Sequence, residues 1–129
     1  MKKRILIVMS TYYKSISNGL LDNAKKAVDE PFDLISVPGV FEIPIAISKN
    51  IKKYDGFVAL GCVIKGETPH FNFISKAAID GIMKLSIENK KPIGNGIITC
   101  LNKKQAIARK KKGYEAAAAL LSFLDPLKK

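Results

Sequence analysis

Four short apolar runs, each followed by a longer stretch with helical spacing, constrain this chain more than any other feature. Ile5-Leu6-Ile7-Val8-Met9 and Phe57-Val58-Ala59-Leu60-Gly61-Cys62-Val63 contain no charged residue. A strand wetted on one face alternates apolar with polar, whereas a strand covered on both faces reads as a continuous apolar run. Phe32 to Val37 and Ile93 to Thr99 read as two further strands, the second loosened by Gly94 and Gly96. Between the strands the period changes. Ile16, Leu20, Leu21, Ala24, Ala27 and Val28 recur at helical spacing, and Pro31 ends that helix. A second helix is expected from about Glu42 to Lys52, with Pro44 tolerated because it falls in the first turn. Phe71, Ile74, Ala77, Ala78, Ile82 and Leu85 mark a long third helix. From about Asn102 to Leu124 the chain reads as helical again, either unbroken or interrupted near Gly113.

Strands that alternate with helices imply a parallel sheet covered on both faces, joined by right-handed crossovers. The expected fold is therefore α/β: a three-layer α/β/α, flavodoxin-like arrangement around a four-stranded parallel sheet. A chain of 129 residues has the length of a single domain, here 1–129, and buries about two thirds of its unfolded surface without a metal or disulfide staple.

Composition excludes several classes. The longest apolar runs fall far below the ~20 residues of a membrane span. Met1-Lys2-Lys3-Arg4 followed by five apolar residues imitates a signal peptide. That run is shorter than the ~7–15 residues of a true leader, so it reads as a strand. The two cysteines, Cys62 and Cys100, lie 100 − 62 = 38 residues apart, and the chain has one histidine, so no metal site is expected. Two buried reduced thiols fit a cytoplasmic protein. The net charge, 22 − 11 = +11, attracts anions: phosphates, nucleic acid or acidic surfaces. The lysines are spread along the chain, and neither a stacking-aromatic sheet motif nor a helix-turn-helix signature accompanies them, so no nucleic-acid partner is expected.

Ligands of open parallel sheets bind outside the carboxyl ends of the strands. After the first strand come Ser10-Thr11-Tyr12-Tyr13, whose aromatics either face a planar ring or pack against the next helix. This loop has neither a glycine-rich dinucleotide pattern nor an acidic pair. After the second strand, Pro38-Gly39 makes a tight turn, and Glu42 opens a helix. That carboxylate serves either the helix dipole or ligand hydroxyls. After the third strand, Thr68 is a good N-cap, Pro69 a good first helical residue, and His70 falls in the first turn. Backbone N–H groups at Gly66, Glu67 and Thr68 would form an anion site, and the dipole would hold His70 neutral and able to accept a proton. A first-turn histidine with no chemical duty is the alternative. After the fourth strand, Asn102 is a plausible N-cap. Arg109, Lys112 and Glu115 follow at three-residue steps. A guanidinium there would hold a phosphate bidentately, unless the basic run is only a solvated face.

Three of these segments carry a resemblance. Val-Pro-Gly-Val-Phe-Glu-Ile-Pro at 37–44, Gly-Cys-Val-Ile-Lys-Gly-Glu-Thr-Pro-His-Phe at 61–71, and Gln-Ala-Ile-Ala-Arg with Lys-Gly-Tyr-Glu-Ala-Ala at 105–117 resemble the lumazine synthases of riboflavin biosynthesis. The match runs in one register from about Ile5 to Phe123. The resemblance implies an enzyme without cofactor or metal. It would condense 5-amino-6-(D-ribitylamino)uracil with 3,4-dihydroxy-2-butanone 4-phosphate, releasing phosphate and water. It also implies sites between neighbouring subunits of a homo-oligomer, a pentamer or a sixty-subunit shell, with riboflavin synthase as a candidate partner.

The same resemblance assigns residues. Tyr12 falls where the family stacks an aromatic on the pyrimidine, and Phe41 and Glu42 match the ribityl and ring contacts. Cys62, Val63 and Ile64 match main-chain contacts to the heterocycle. Glu67 and Thr68 match the amides that hold the phosphate, and Arg109 the phosphate arginine. His70 matches the proton-transfer histidine, Lys112 a lysine near the uracil edge, and Glu115 a carboxylate that supports the histidine. Asn95 stands where an aromatic of the adjacent subunit commonly covers the ligand. Lys65 replaces a usual arginine, Tyr12 a usual phenylalanine and Tyr13 a usual asparagine. The segment between Arg109 and Lys112 is a few residues shorter than the common pattern.

Overall fold

A computed structural model describes residues 3–66 and 71–124. Its strands are β1 (Ile5–Ser10), β2 (Phe32–Val37), β3 (Gly56–Ile64) and β4 (Ile93–Cys100). The helices are α1 (Lys14–Ala27), α2 (Ile43–Asn50), α3 (Phe71–Asn89), α4 (Lys103–Ala108) and α5 (Lys112–Leu124), with one 3-10 turn at Val40–Glu42. The strands form one parallel sheet in the order β2-β1-β3-β4. Among the described residues, no helix is long and apolar enough to cross a membrane.

Two apolar clusters sandwich the sheet. Ile5, Ile7 and Met9 of β1 and Val58, Leu60, Cys62 and Ile64 of β3 pack with α1, α4 and α5. Leu6 and Val8 of β1 and Phe57, Ala59 and Val63 of β3 pack with α2, α3 and the 3-10 turn. Alternate side chains of the same strands thus enter opposite layers, which is why β1 and β3 are buried at every position. The chain first steps from β1 to β2, then returns across β1 to β3 and β4. Right-handed crossovers in opposite directions place α1 on one face and α2 and α3 on the other, as expected for this three-layer flavodoxin-like fold. The reversal between β1 and β3 is the switch point at which such sheets open a ligand crevice.

The last helical stretch is broken just ahead of Gly113, one of the two outcomes expected. Lys112 N bonds Arg109 O at 3.0 Å and Gly113 N bonds Lys110 O at 3.1 Å, so a tight turn over Arg109–Lys111 separates α4 from α5. Gly113 lies inside α5 because it serves packing: a Cβ there would run into the Leu20 carbonyl oxygen of α1. Gly94 does the same for β4, where a Cβ would meet the Ala116 carbonyl oxygen of α5. With Ala116 and Ala117 also buried, α5 lies close against both α1 and β4.

Candidate active site

The C-terminal edge of the sheet is assembled by main-chain bonds between successive loops. Thr11 N donates to Val37 O at 2.9 Å, tying the segment after β1 to the end of β2. Lys65 N donates to Cys100 O at 2.9 Å, tying the end of β3 to β4. Gly66 turns the chain out of β3 with φ +86°, a conformation open to glycine.

Tyr12 is 62% exposed, while Tyr13 packs partly buried against the α1-side core. Their ring centroids lie 4.8 Å apart at 86°, an edge-to-face pair in which the anchored Tyr13 supports the exposed Tyr12. Val40 is buried and fixes the 3-10 turn to the sheet, which leaves the next residue, Phe41, 59% exposed. The Glu42 carboxylate folds over Gly39, where a Cβ would lie 3.0 Å from Oε1. Phe41 and Glu42 line a cavity of about 480 Å³ with Pro44, Ile45 and Ala77. The side chains of Cys62, Val63 and Ile64 are all buried, so this part of β3 can offer a ligand only its main chain. Glu67, Thr68 and His70 lie outside the described residues.

The remaining expected residues gather at β4. Arg109, Lys112 and Glu115 share a cavity of about 450 Å³ with Ile97, Ile98 and Thr99. Arg109 Nη1 donates to Thr99 O at 3.1 Å. Lys112 Nζ lies 3.8 Å from Glu115 Oε1, an exposed pair that contributes little to stability but keeps both charges beside the guanidinium. Asn95 Oδ1 accepts from Ile97 N at 3.0 Å. Asn95 also lines a separate apolar groove of about 530 Å³ with Ile79, Ile82, Met83, Ile87 and Phe123.

The chain therefore brings its expected site residues together in separate groups. Phe41 and Glu42 lie against α3, Arg109, Lys112 and Glu115 lie at the free edge of β4, and Asn95 lies in the groove between α3 and α5. Tyr12 follows β1, two strands from β4 and hence roughly 10 Å away across the sheet. Gln105 has no role in the motifs above but is bonded on both sides. Gln105 N donates to Asn102 Oδ1 at 2.9 Å, and Leu101 N donates to Gln105 Oε1 at 2.8 Å. The Asn-x-x-Gln spacing ahead of α4 is a capping-box signal and could have revealed it.

Known proteins share this arrangement of segments. A sequence model of the 6,7-dimethyl-8-ribityllumazine synthase family matches residues 2–128. The chain is 42% identical to the 6,7-dimethyl-8-ribityllumazine synthase of Agrobacterium fabrum over 143 aligned residues, covering 99% of this chain and 97% of that one. It is 44% identical to the Bartonella henselae enzyme of the same name, covering 92% and 85%. It is 37% identical to that of Renibacterium salmoninarum, covering 91% and 84%. The chain belongs to the 6,7-dimethyl-8-ribityllumazine synthase family.

Proposed function

We propose that this chain condenses 5-amino-6-(D-ribitylamino)uracil with 3,4-dihydroxy-2-butanone 4-phosphate to 6,7-dimethyl-8-ribityllumazine, in a site completed by a second copy of itself. The observation that carries the reading is that Phe41 with Glu42, Arg109 with Lys112 and Glu115, and Asn95 line three different cavities of one copy. One copy supplies Tyr12, Phe41, Glu42, the main chain of Cys62–Ile64 and the Glu67–His70 segment. Its neighbour supplies Asn95, Arg109, Lys112 and Glu115. Exposed apolar side chains support association: Phe73 is 76%, Phe123 74% and Ile87 68% exposed in one copy. A homo-oligomer, a pentamer or a closed shell of pentamers, would cover them. The reading treats residues 1–129 as one such domain, working in the cytoplasm, where the buried thiols of Cys62 and Cys100 stay reduced.

The chemistry follows from the groups. The uracil's amine attacks the ketone carbon, and loss of water gives an imine. Phosphate leaves by elimination, the resulting enol becomes a ketone, and the second nitrogen attacks that carbonyl and closes the ring with loss of a second water. Tyr12 and Phe41 present aromatic surface to the heterocycle, and Glu42 accepts from ribityl hydroxyls. Arg109 binds the phosphate and stabilises its charge as it leaves. His70 moves protons between steps, an effect typically worth 10²–10⁴-fold. Holding the two substrates in attack geometry supplies much of the remainder. The test mixes both substrates with purified protein and follows product absorbance and fluorescence. Product that falls sharply in His70→Ala supports the reading, and folded oligomer that makes none overturns it.

A further inference from the structure

We infer that Asn102 and Gln105 are positioning residues for substrate phosphate, acting through Arg109; this rests on the phosphate role of Arg109 proposed above. α4 has only six residues, Lys103–Ala108, too few to be stable by backbone bonding alone. Only Ala106 of these is buried. Its N-terminus is instead closed by a variant of the capping box, with Gln105 N donating to Asn102 Oδ1 at 2.9 Å and Leu101 N, one residue before the N-cap, donating to Gln105 Oε1 at 2.8 Å. The pair fixes where α4 starts relative to Cys100, the last residue of β4.

Arg109 is the C-cap of that helix, its N–H bonded to Ala106 O at 3.1 Å. From there its guanidinium reaches back over the full length of α4 to Thr99 O at 3.1 Å. The carbonyl it reaches and the helix that carries it are thus joined through the capping box. Downstream, the turn into α5 is held by Lys112 N to Arg109 O at 3.0 Å. Neither Asn102 nor Gln105 lines the cavity that holds Arg109, so their influence on phosphate passes through the arginine.

The test compares four variants of the whole oligomer in the two-substrate assay: Arg109→Ala, Asn102→Ala, Gln105→Met and Asn102→Ser. Loss of the box should raise KM for the butanone phosphate roughly three- to tenfold in Asn102→Ala and Gln105→Met, with KM for the ribitylaminouracil changed less than about twofold. Asn102→Ser keeps an N-cap oxygen and should restore the KM. A merely structural role would lower melting temperature and the active fraction, moving kcat while leaving both KM values alone, and that outcome overturns the inference. If Arg109→Ala raises KM for the phosphate substrate and Asn102→Ala does not, the inference alone falls. If Arg109→Ala leaves that KM unchanged, the phosphate role falls and the inference with it.

Discussion

Arg109 and Thr99 are ten residues apart in sequence and meet at the free edge of β4, where Arg109 Nη1 donates to the Thr99 carbonyl at 3.1 Å. One arm of the fork is spent on the protein, and Arg109 lines the cavity it shares with Lys112 and Glu115. An arginine held in this way binds an anion with little further loss of side-chain freedom. Arg109→Ala should raise KM for the butanone phosphate about 10- to 100-fold, the loss of a charge-assisted contact of about 1.5–3 kcal/mol. Steady-state kinetics with each substrate varied in turn checks this. Unchanged kinetics for the phosphate substrate would contradict it.

The approach of α5 to α1 leaves no room at Gly113, where a Cβ would strike the Leu20 carbonyl oxygen. Backbone cannot step aside as a side-chain end can. Gly113→Ala should destabilise the fold by about 1–3 kcal/mol, although alanine is otherwise the better helix former. Urea unfolding gives the difference, and a variant as stable as the parent would show that the two helices do not meet as described.

Tyr54 carries the one acid–base prediction. Its hydroxyl donates to Asp33 Oδ2 at 2.6 Å, and Arg4 lies over its ring at 5.0 Å. The bond to the Asp33 carboxylate, with smaller effects of burial and of Asp33 charge, raises the phenol above its ordinary 10.0 despite the lowering effect of Arg4. A raised phenol pKa means that folding favours the protonated form. The stabilisation is therefore complete below pH 10.0 and lost as pH rises through the higher folded value. Tyr54→Phe should melt a few degrees lower at pH 8, with the gap closing above pH 10. A gap that persists unchanged above that pH would contradict the assignment.

In the proposed oligomer several copies would lie side by side, and each chain carries +11. Five copies would hold 5 × 11 = +55, a self-repulsion opposed by anions bound at Arg109. Phosphate at constant ionic strength should raise the melting temperature of the oligomer, and Arg109→Ala should abolish most of the rise. Equal melting with and without phosphate would count against an anion site there.

The strands and the three layers were legible because periodicity reports burial directly. β2 is Phe32–Val37 as expected, and β1, β3 and β4 differ from expectation only at their ends. The break expected near Gly113 falls over Arg109–Lys111, just ahead of it, but the role of the glycine itself was not legible, because a glycine in a helical run signals a stop or a close contact equally well. Only the position of Leu20 on the neighbouring helix decides between them. At the site, the residue types were legible from motifs, but their grouping was not. Phe41 and Arg109 follow different strands of one sheet, and nothing local to either segment says that the strand order holds them apart. Gln105 was hidden for a different reason: its chemistry is spent on the backbone of Leu101, so it reads as a surface residue.

The most direct measurement mixes two defective variants. His70→Ala and Arg109→Ala are unfolded together, refolded at equal amounts and assayed with both substrates. If each site joins His70 of one copy to Arg109 of the next, random assembly leaves about a quarter of the sites with both groups intact, whatever the ring size. With the butanone phosphate held well below its KM, where the Arg109→Ala chain turns over slowly, the account predicts turnover near a quarter of the parent's and well above either variant alone. Mixed oligomers, verified by mass, that show no more turnover than the separate variants would place the whole site within one copy and contradict it.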